Sequence, residues 1–230
     1  MKTTDILRAM AKAYDGKTRP REPMAVSFDI DDGAEVSHLV LRPGEAARIE
    51  SGNCADSAFT IVTTTEILRK MAEGRLSPLT AMARETLHQP APLDVRLPSG
   101  VSLSPELYHR IVRFAQRFFN PLPGERIRIE ESASRVVHGG HVVALFADVG
   151  FRSAWYLLRP GDRLNGPGDT NPFPQAFVIV SGSGTAQIGD VAHRLQANEA
   201  YYVPPGTQHT VRPSPDEELT LVWMAWGEGA

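Results

Sequence analysis

The feature that most constrains this chain is the segment Asn120-Pro121-Leu122-Pro123-Gly124-Glu125. Proline fixes φ and lacks an N–H, so two prolines and a glycine in succession cannot continue a helix and read as a linker. Upstream, Leu107, Ile111, Phe114 and Phe118 recur at i, i+4, i+7 and i+11, the apolar stripe of an amphipathic helix. Downstream that period vanishes, and short β-branched and aromatic runs separated by glycine and proline take over. The change predicts two domains, residues 1–120 and residues 121–230. Charge divides at the same place. Residues 1–120 hold 16 Lys/Arg against 15 Asp/Glu (net +1), and residues 121–230 hold 8 against 12 (net −4).

A formal net charge of −3 over 230 residues gives no electrostatic reason to expect nucleic acid as a partner. No run approaches the roughly 18 apolar residues of a transmembrane helix, so no transmembrane segment is expected. The start, Met1-Lys2-Thr3-Thr4-Asp5, leads into an acid-containing helical pattern without a signal-peptide core. The single cysteine, Cys54, forms no internal disulfide and cannot build a cysteine-ligated zinc site. These features together predict a cytoplasmic protein. Nor does the chain carry a Gly-x-Ser-x-Gly elbow, a phosphate-cradling glycine loop or a dinucleotide fingerprint.

In the first half, Ile6, Leu7, Met10 and Tyr14 share a helical face that ends near Gly16. Met24, Val26, Phe28 and Ile30 alternate with Ala25, Ser27 and Asp29, a strand entering an Asp31-Asp32-Gly33 turn. Val36–Leu41, Ala46–Ile49 and Phe59–Val62 are further strands. Thr63 and Glu66 have capping-box spacing before Ile67, Leu68 and Met71. Ser77-Pro78 and Ser104-Pro105-Glu106 each start another helix, with proline at its first position. The early helix, the strand and its turn, Ala55–Ile61, the helix Glu66–Met71, Gly74-Arg75-Leu76-Ser77-Pro78 and Ala81-Met82-Ala83 together resemble the sterol carrier protein type 2 family over roughly residues 4–119. The pattern departs at Arg84–Pro92, which reads as an insertion. The resemblance implies an α+β domain, a five-stranded antiparallel sheet under helices, enclosing an apolar tunnel. Its ligand would be a hydrophobic small molecule, lipid, sterol-like, quinone or polyketide-like. Met71, Met82, Phe114 and Phe118 are the candidate lining residues, and each also fits ordinary core.

In the second half, Val142–Phe146, Ala154–Leu158, Phe177–Val180, Ala186–Ile188, Tyr201–Val203, Thr210–Arg212 and Leu219–Trp226 read as strands of a small all-β sandwich or barrel. His138 and His141 flank a Gly-Gly pair and read as a hairpin turn rather than a metal pair. Gly182-Ser183-Gly184 reads as a turn where backbone geometry demands glycine. Pro204, Gly206 and His209, following Asn198-Glu199, resemble the second motif of the cupin family, over roughly residues 126–226. The resemblance implies a double-stranded β-helix, or jelly-roll barrel. Its first motif would carry two histidines and a glutamate. Counting back from Gly182 puts Gln175 at the glutamate, with Asp169 and Asn171 at the histidines, so only His209 of the family's ligand set remains.

The resulting expectation is a binder of a hydrophobic small molecule in the first domain, with the cupin barrel as a second pocket, lined by residues such as Gln175 and Phe177, or as a dimerisation unit. By resemblance, a homodimer would form through the cupin sheet. No cofactor is expected. The alternative is a divalent metal (iron, manganese, nickel or zinc) held weakly by His209, Asp169, Asn171 and Gln175, donors too weakly basic for a tight redox site. The rival reading is a cupin-type isomerase, cyclase or lyase. In it His209 transfers the proton, Asp169 partners it and Tyr202 lies in the pocket; a metal-dependent oxygenase is its weaker form.

Overall fold

The computed structural model describes residues 2–17, 22–31, 35–85, 89–122 and 125–230. It divides into two compact units, Met1–Arg128 and Ile129–Ala230, so the division falls a short way beyond the proline segment rather than after Asn120. The expected turn residues Asp32 and Gly33, and Pro123-Gly124 of the proposed linker, lie outside the described residues.

The first unit runs α1 (Thr3–Asp15), β1 (Met24–Ile30), β2 (Glu35–Leu41), β3 (Arg48–Ser51), β4 (Phe59–Thr63), α2 (Thr65–Ala72), α3 (Pro78–Met82), β5 (Asp94–Arg96) and α4 (Pro105–Phe118). Its sheet has the order β3-β2-β1-β4-β5. The sheet is mixed, not antiparallel as expected: β4 lies parallel to β1, with Phe28 opposite Ile61. The reason is connectivity. The chain from β3 to β4 crosses past β2 to the free side of β1, and a strand entering there from the same end as β1 runs parallel to it. The unit remains α+β.

Helix starts follow side-chain chemistry. Ser77 and Ser104 cap α3 and α4, accepting from the Thr80 and Leu107 N–H groups at 3.1 and 3.2 Å. At α2 the cap is Thr64, which accepts from the Ile67 N–H, and not the expected Thr63. Thr63 is the last residue of β4, and its hydroxyl donates to the Pro92 carbonyl at 2.8 Å, so it is already committed to the sheet.

The core of this unit is aromatic. Phe28, Phe59, Phe118 and Phe119 are fully buried. Phe114 stacks on Phe118 with ring centroids 5.1 Å apart, Phe118 also stacks on Phe28, and Tyr14 packs obliquely against Phe114 and Phe118. Such a cluster seals the C-terminal half of the inner face of α4 against the sheet.

The second unit is all β: β6 (Arg135–Val137), β7 (Gly140–Asp148), β8 (Phe151–Leu158), β9 (Gln175–Ser181), β10 (Ser183–Ile188), β11 (Val191–Gln196), β12 (Ala200–Val203), β13 (His209–Pro213) and β14 (Leu219–Trp226). They form a six-stranded sheet, β12-β9-β14-β8-β7-β6, and a three-stranded sheet, β11-β10-β13. Two strands, β6 and β11, were not anticipated. β6 is only three residues long, and most side chains of β11 are exposed, so neither carries an apolar alternation.

The hairpin between β6 and β7 turns through His138 and Gly139, both at positive φ (53° and 79°), the backbone of a tight two-residue turn. His138 is exposed there, and His141 instead meets the Ser134 hydroxyl, so the two histidines do not converge. Between β9 and β10, Gly182 has φ +81°, and a Cβ placed on it would lie 2.0 Å from the Glu218 carbonyl oxygen. Replacing Gly182 by alanine therefore combines left-handed strain with a backbone clash. Gly182→Ala is expected to destabilise the second unit by about 3 kcal/mol, read as a lowered denaturation midpoint in urea.

Candidate functional site

Residues directly opposed in an antiparallel ladder project to the same face, so the registers define the inward face of the six-stranded sheet. One row across it is Arg152, Ala225, Gln175 and Val203. The next is Ala154, Trp223, Phe177 and Tyr201, and the third is Tyr156, Leu221 and Ile179. Ala225, Gln175, Val203, Phe177, Leu221 and Ile179 are all buried, which identifies this as the interior. A polar glutamine at the centre of such a face must find partners or cost stability.

Gln175, only 1% exposed, finds two. Its Oε1 accepts from the Trp223 indole N–H at 2.8 Å and from the Asn171 amide at 3.2 Å. Its Nε2 has no partner. The carbonyl of Asn171 accepts in turn from the Gly206 N–H at 2.7 Å, tying this position to the Pro204–Gly206 turn before β13.

His209 opens β13 and is 2% exposed. Its Nδ1 lies 3.3 Å from the Thr207 carbonyl, which can only accept, so the proton belongs on Nδ1. Nε2 then holds a lone pair, and the Asn165 amide sits 2.8 Å from it as donor. Asn165 is presented from a left-handed backbone position, φ 62°, with its own N–H on the His138 carbonyl. Burial pushes the His209 pKa below 6.5, opposed by the Thr207 bond and the Asp169 charge. The imidazole is held neutral, in one tautomer, with both nitrogens occupied.

The other expected residues are placed differently. Asp169 is exposed, and its Oδ2 accepts from the Gly166 N–H at 2.6 Å. It is close enough to His209 to act on it electrostatically, not as a hydrogen-bond partner. Tyr202 is 55% exposed and lies beside Trp226, on the face opposite Gln175. The structure thus does not bring Tyr202 to His209, and the two form no acid–base pair. Phe177 is buried and stacks on Tyr201 at 5.6 Å. In the first unit Met71, Phe114 and Phe118 are buried within the aromatic core, with Met82 partly buried against it.

A divalent metal does not fit this donor set. The His209 lone pair is directed at Asn165, the Gln175 oxygen already accepts two N–H donors, and Asp169 is held at the surface by Gly166. Among the described residues no three His, Cys, Asp or Glu side chains gather as a metal site would require.

Sequence reading missed two half-buried polar residues beside the interior, Arg152 and Asn165. Arg152 was legible in principle, because it alternates with Ala154, Tyr156 and Leu158 along β8 and so shares their inward phase. Asn165 lies in a loop, where no periodicity marks it. Tyr156, four residues from Arg152 and fully enclosed, has its hydroxyl pKa pushed by burial to about 12, with Arg152 opposing the shift. It stays protonated.

Residues 154–225 match the family described as Cupin domain, and this region has the cupin-type β-barrel, or jelly-roll, fold. Similar solved structures include a cupin 2 conserved barrel domain protein from Salinispora arenicola (18% identity, 44% of this chain and 88% of that one, TM-score 0.39). Another is a cupin-like protein from Thermotoga maritima (24% identity, 38% and 68%, TM-score 0.35). A third is the cupin domain of Cnp3 from Schizosaccharomyces pombe (15% identity, 39% and 65%, TM-score 0.36). No curated protein matches the chain. No helix among the described residues is long and apolar enough to cross a membrane.

The buried neutral His209 has a pH signature. Its folded pKa lies below that of the unfolded chain, about 6.5, so the unfolded state binds the proton more readily. Stability attributable to His209 is complete above that value and is lost as pH falls toward the folded pKa. His209→Gln is expected to flatten this portion of the stability–pH profile, measured by urea denaturation at a series of pH values.

Proposed function

We propose that the β unit is a metal-independent binding barrel for a small molecule with an apolar body and a hydrogen-bonding head. One observation carries the reading: Gln175, at the centre of the inward face, has its oxygen fixed by Trp223 and Asn171 while its buried Nε2 donor points to no protein acceptor. A buried amide nitrogen without a partner costs about 1–3 kcal/mol, a cost that a ligand acceptor would remove. The surroundings suit the body of such a ligand, with Trp223, Phe173, Phe177 and Tyr156 providing aromatic and aliphatic surface. Nucleophilic or redox chemistry is not part of the proposal, because His209 spends both nitrogens on Asn165 and Thr207.

The elements of the first unit that resemble a sterol carrier imply an apolar ligand there too. Such a ligand would have to part the stacked Phe114–Phe118 pair, whereas the barrel offers a donor already in search of a partner. The binding function is therefore placed in the barrel, and the first unit is read as a sterol-carrier-like scaffold with a filled interior.

Trp223 makes the proposal testable, since a ligand at Gln175 must disturb the indole bonded to it. In the double variant Trp155→Phe/Trp226→Phe, Trp223 is the sole remaining tryptophan. Its emission is expected to shift saturably with small aromatic ligands, and adding iron, manganese, nickel or zinc is expected to leave it unchanged. Stoichiometric metal in protein purified without chelator, or no ligand response across a broad aromatic and aliphatic acid, amide and alcohol series, would sink the reading.

A further inference from the structure

The row that carries Gln175 contains a second unpaired donor. Arg152 lies opposite Ala225, which lies opposite Gln175, so the arginine and the glutamine project inward from two strands separated by the one bearing Ala225. With strands about 4.8 Å apart, their Cα atoms stand roughly 10 Å from each other, and only an alanine methyl rises between them. The Arg152 Nε–H is buried and has no partner. The guanidinium lies over the Phe173 ring at 4.9 Å, and Nη2 reaches the Gly229 carbonyl only at 3.4 Å. No carboxylate among the described residues forms an ion pair with it.

From this we propose that Arg152 and Gln175 form a carboxylate-binding site over Ala225, and that the ligand of the barrel is a small carboxylic acid with an aromatic or aliphatic body. The inference rests on the reading of the barrel as a binding pocket and supplies its substrate class. The reasoning is one of complementarity. A half-exposed arginine whose buried Nε–H lacks a partner and whose charge has no counter-anion among the described residues, and a buried amide NH2 lacking an acceptor, are both relieved by the same group, one carboxylate oxygen on each donor. A neutral carbonyl would satisfy Gln175 and leave the Arg152 charge uncompensated. A phosphate needs more donors and room than a row closed by Trp223, Phe173 and Val203 provides. Phe173, Trp223 and Ala225 pack together on the same side, giving the acid's body an apolar seat beside its head.

The full chain titrated with 4-phenylbutyrate, 4-phenylbutyramide and 4-phenylbutanol, followed by calorimetry, decides the matter. The acid is expected to bind at least about 10-fold tighter than the amide or the alcohol, the worth of one charge-assisted hydrogen bond pair. Arg152→Met is expected to abolish that preference while keeping binding of the neutral analogues, and Arg152→Lys to retain part of it. Equal binding of the three by the unaltered protein overturns the carboxylate site and leaves the binding barrel standing. Binding of none overturns both. Should Arg152→Met fail to fold, Arg152→Gln, which also removes the charge, serves as the second variant. A preference for the acid that survives whichever of the two variants folds also overturns the assignment.

Discussion

The β unit depends on one constraint: a polar group carried into an apolar interior must be given a partner. Gln175 meets it through Trp223 and Asn171, and His209 meets it through Asn165 and Thr207. These bonds join β9 to β14, and the loop before β9 to the turn before β13. They set the tautomer of the imidazole and the orientation of the glutamine. They also account for the mismatch with a metal, because the His209 lone pair and the Gln175 oxygen are already directed at protein donors. The constraint is not met at Gln175 Nε2 and Arg152 Nε, two buried donors without a partner.

The first unit is organised by the opposite device. Its core is built on rings, with Phe28, Phe114, Phe118 and Phe119 packed on one another, and the buried polar atom left without a partner among the described residues there is Asp29 Oδ1. Ser77, Ser104 and Thr64 keep polar work at helix ends, where backbone N–H groups would otherwise be orphaned. Two buried serines, Ser27 and Ser57, bond to each other at 2.6 Å and so obey the same rule locally.

Much of the elemental structure was legible in the sequence. The stripe Leu107, Ile111, Phe114 and Phe118 became α4, the alternation from Met24 to Ile30 became β1, and the Gly182 turn was required by a close approach to Glu218. The cap of α2 slipped by one residue because Thr63 and Thr64 are chemically alike, and only the pairing of β4 shows which is free. The parallel placement of β4 beside β1 was hidden for a related reason: periodicity gives a strand its faces but not its neighbours. Gln175, Asn171 and His209, singled out by motif position, lie at hydrogen-bonded positions in the β unit. Tyr202 was not distinguishable from Tyr201, since adjacent residues of a strand face opposite ways and sequence does not say which faces in.

By itself the sequence determined the α+β character of the first part and the β character of the second, because hydrophobic period and proline–glycine punctuation act locally. It also determined that the metal motif was depleted, since that is a matter of which side chains are present. Tertiary structure alone decided the surroundings of the buried polar groups. Register brought Arg152 across Ala225 to Gln175, and loop geometry carried Asn165 to the His209 lone pair. Both relate residues distant in the chain, and no local pattern encodes the partner of a buried polar atom.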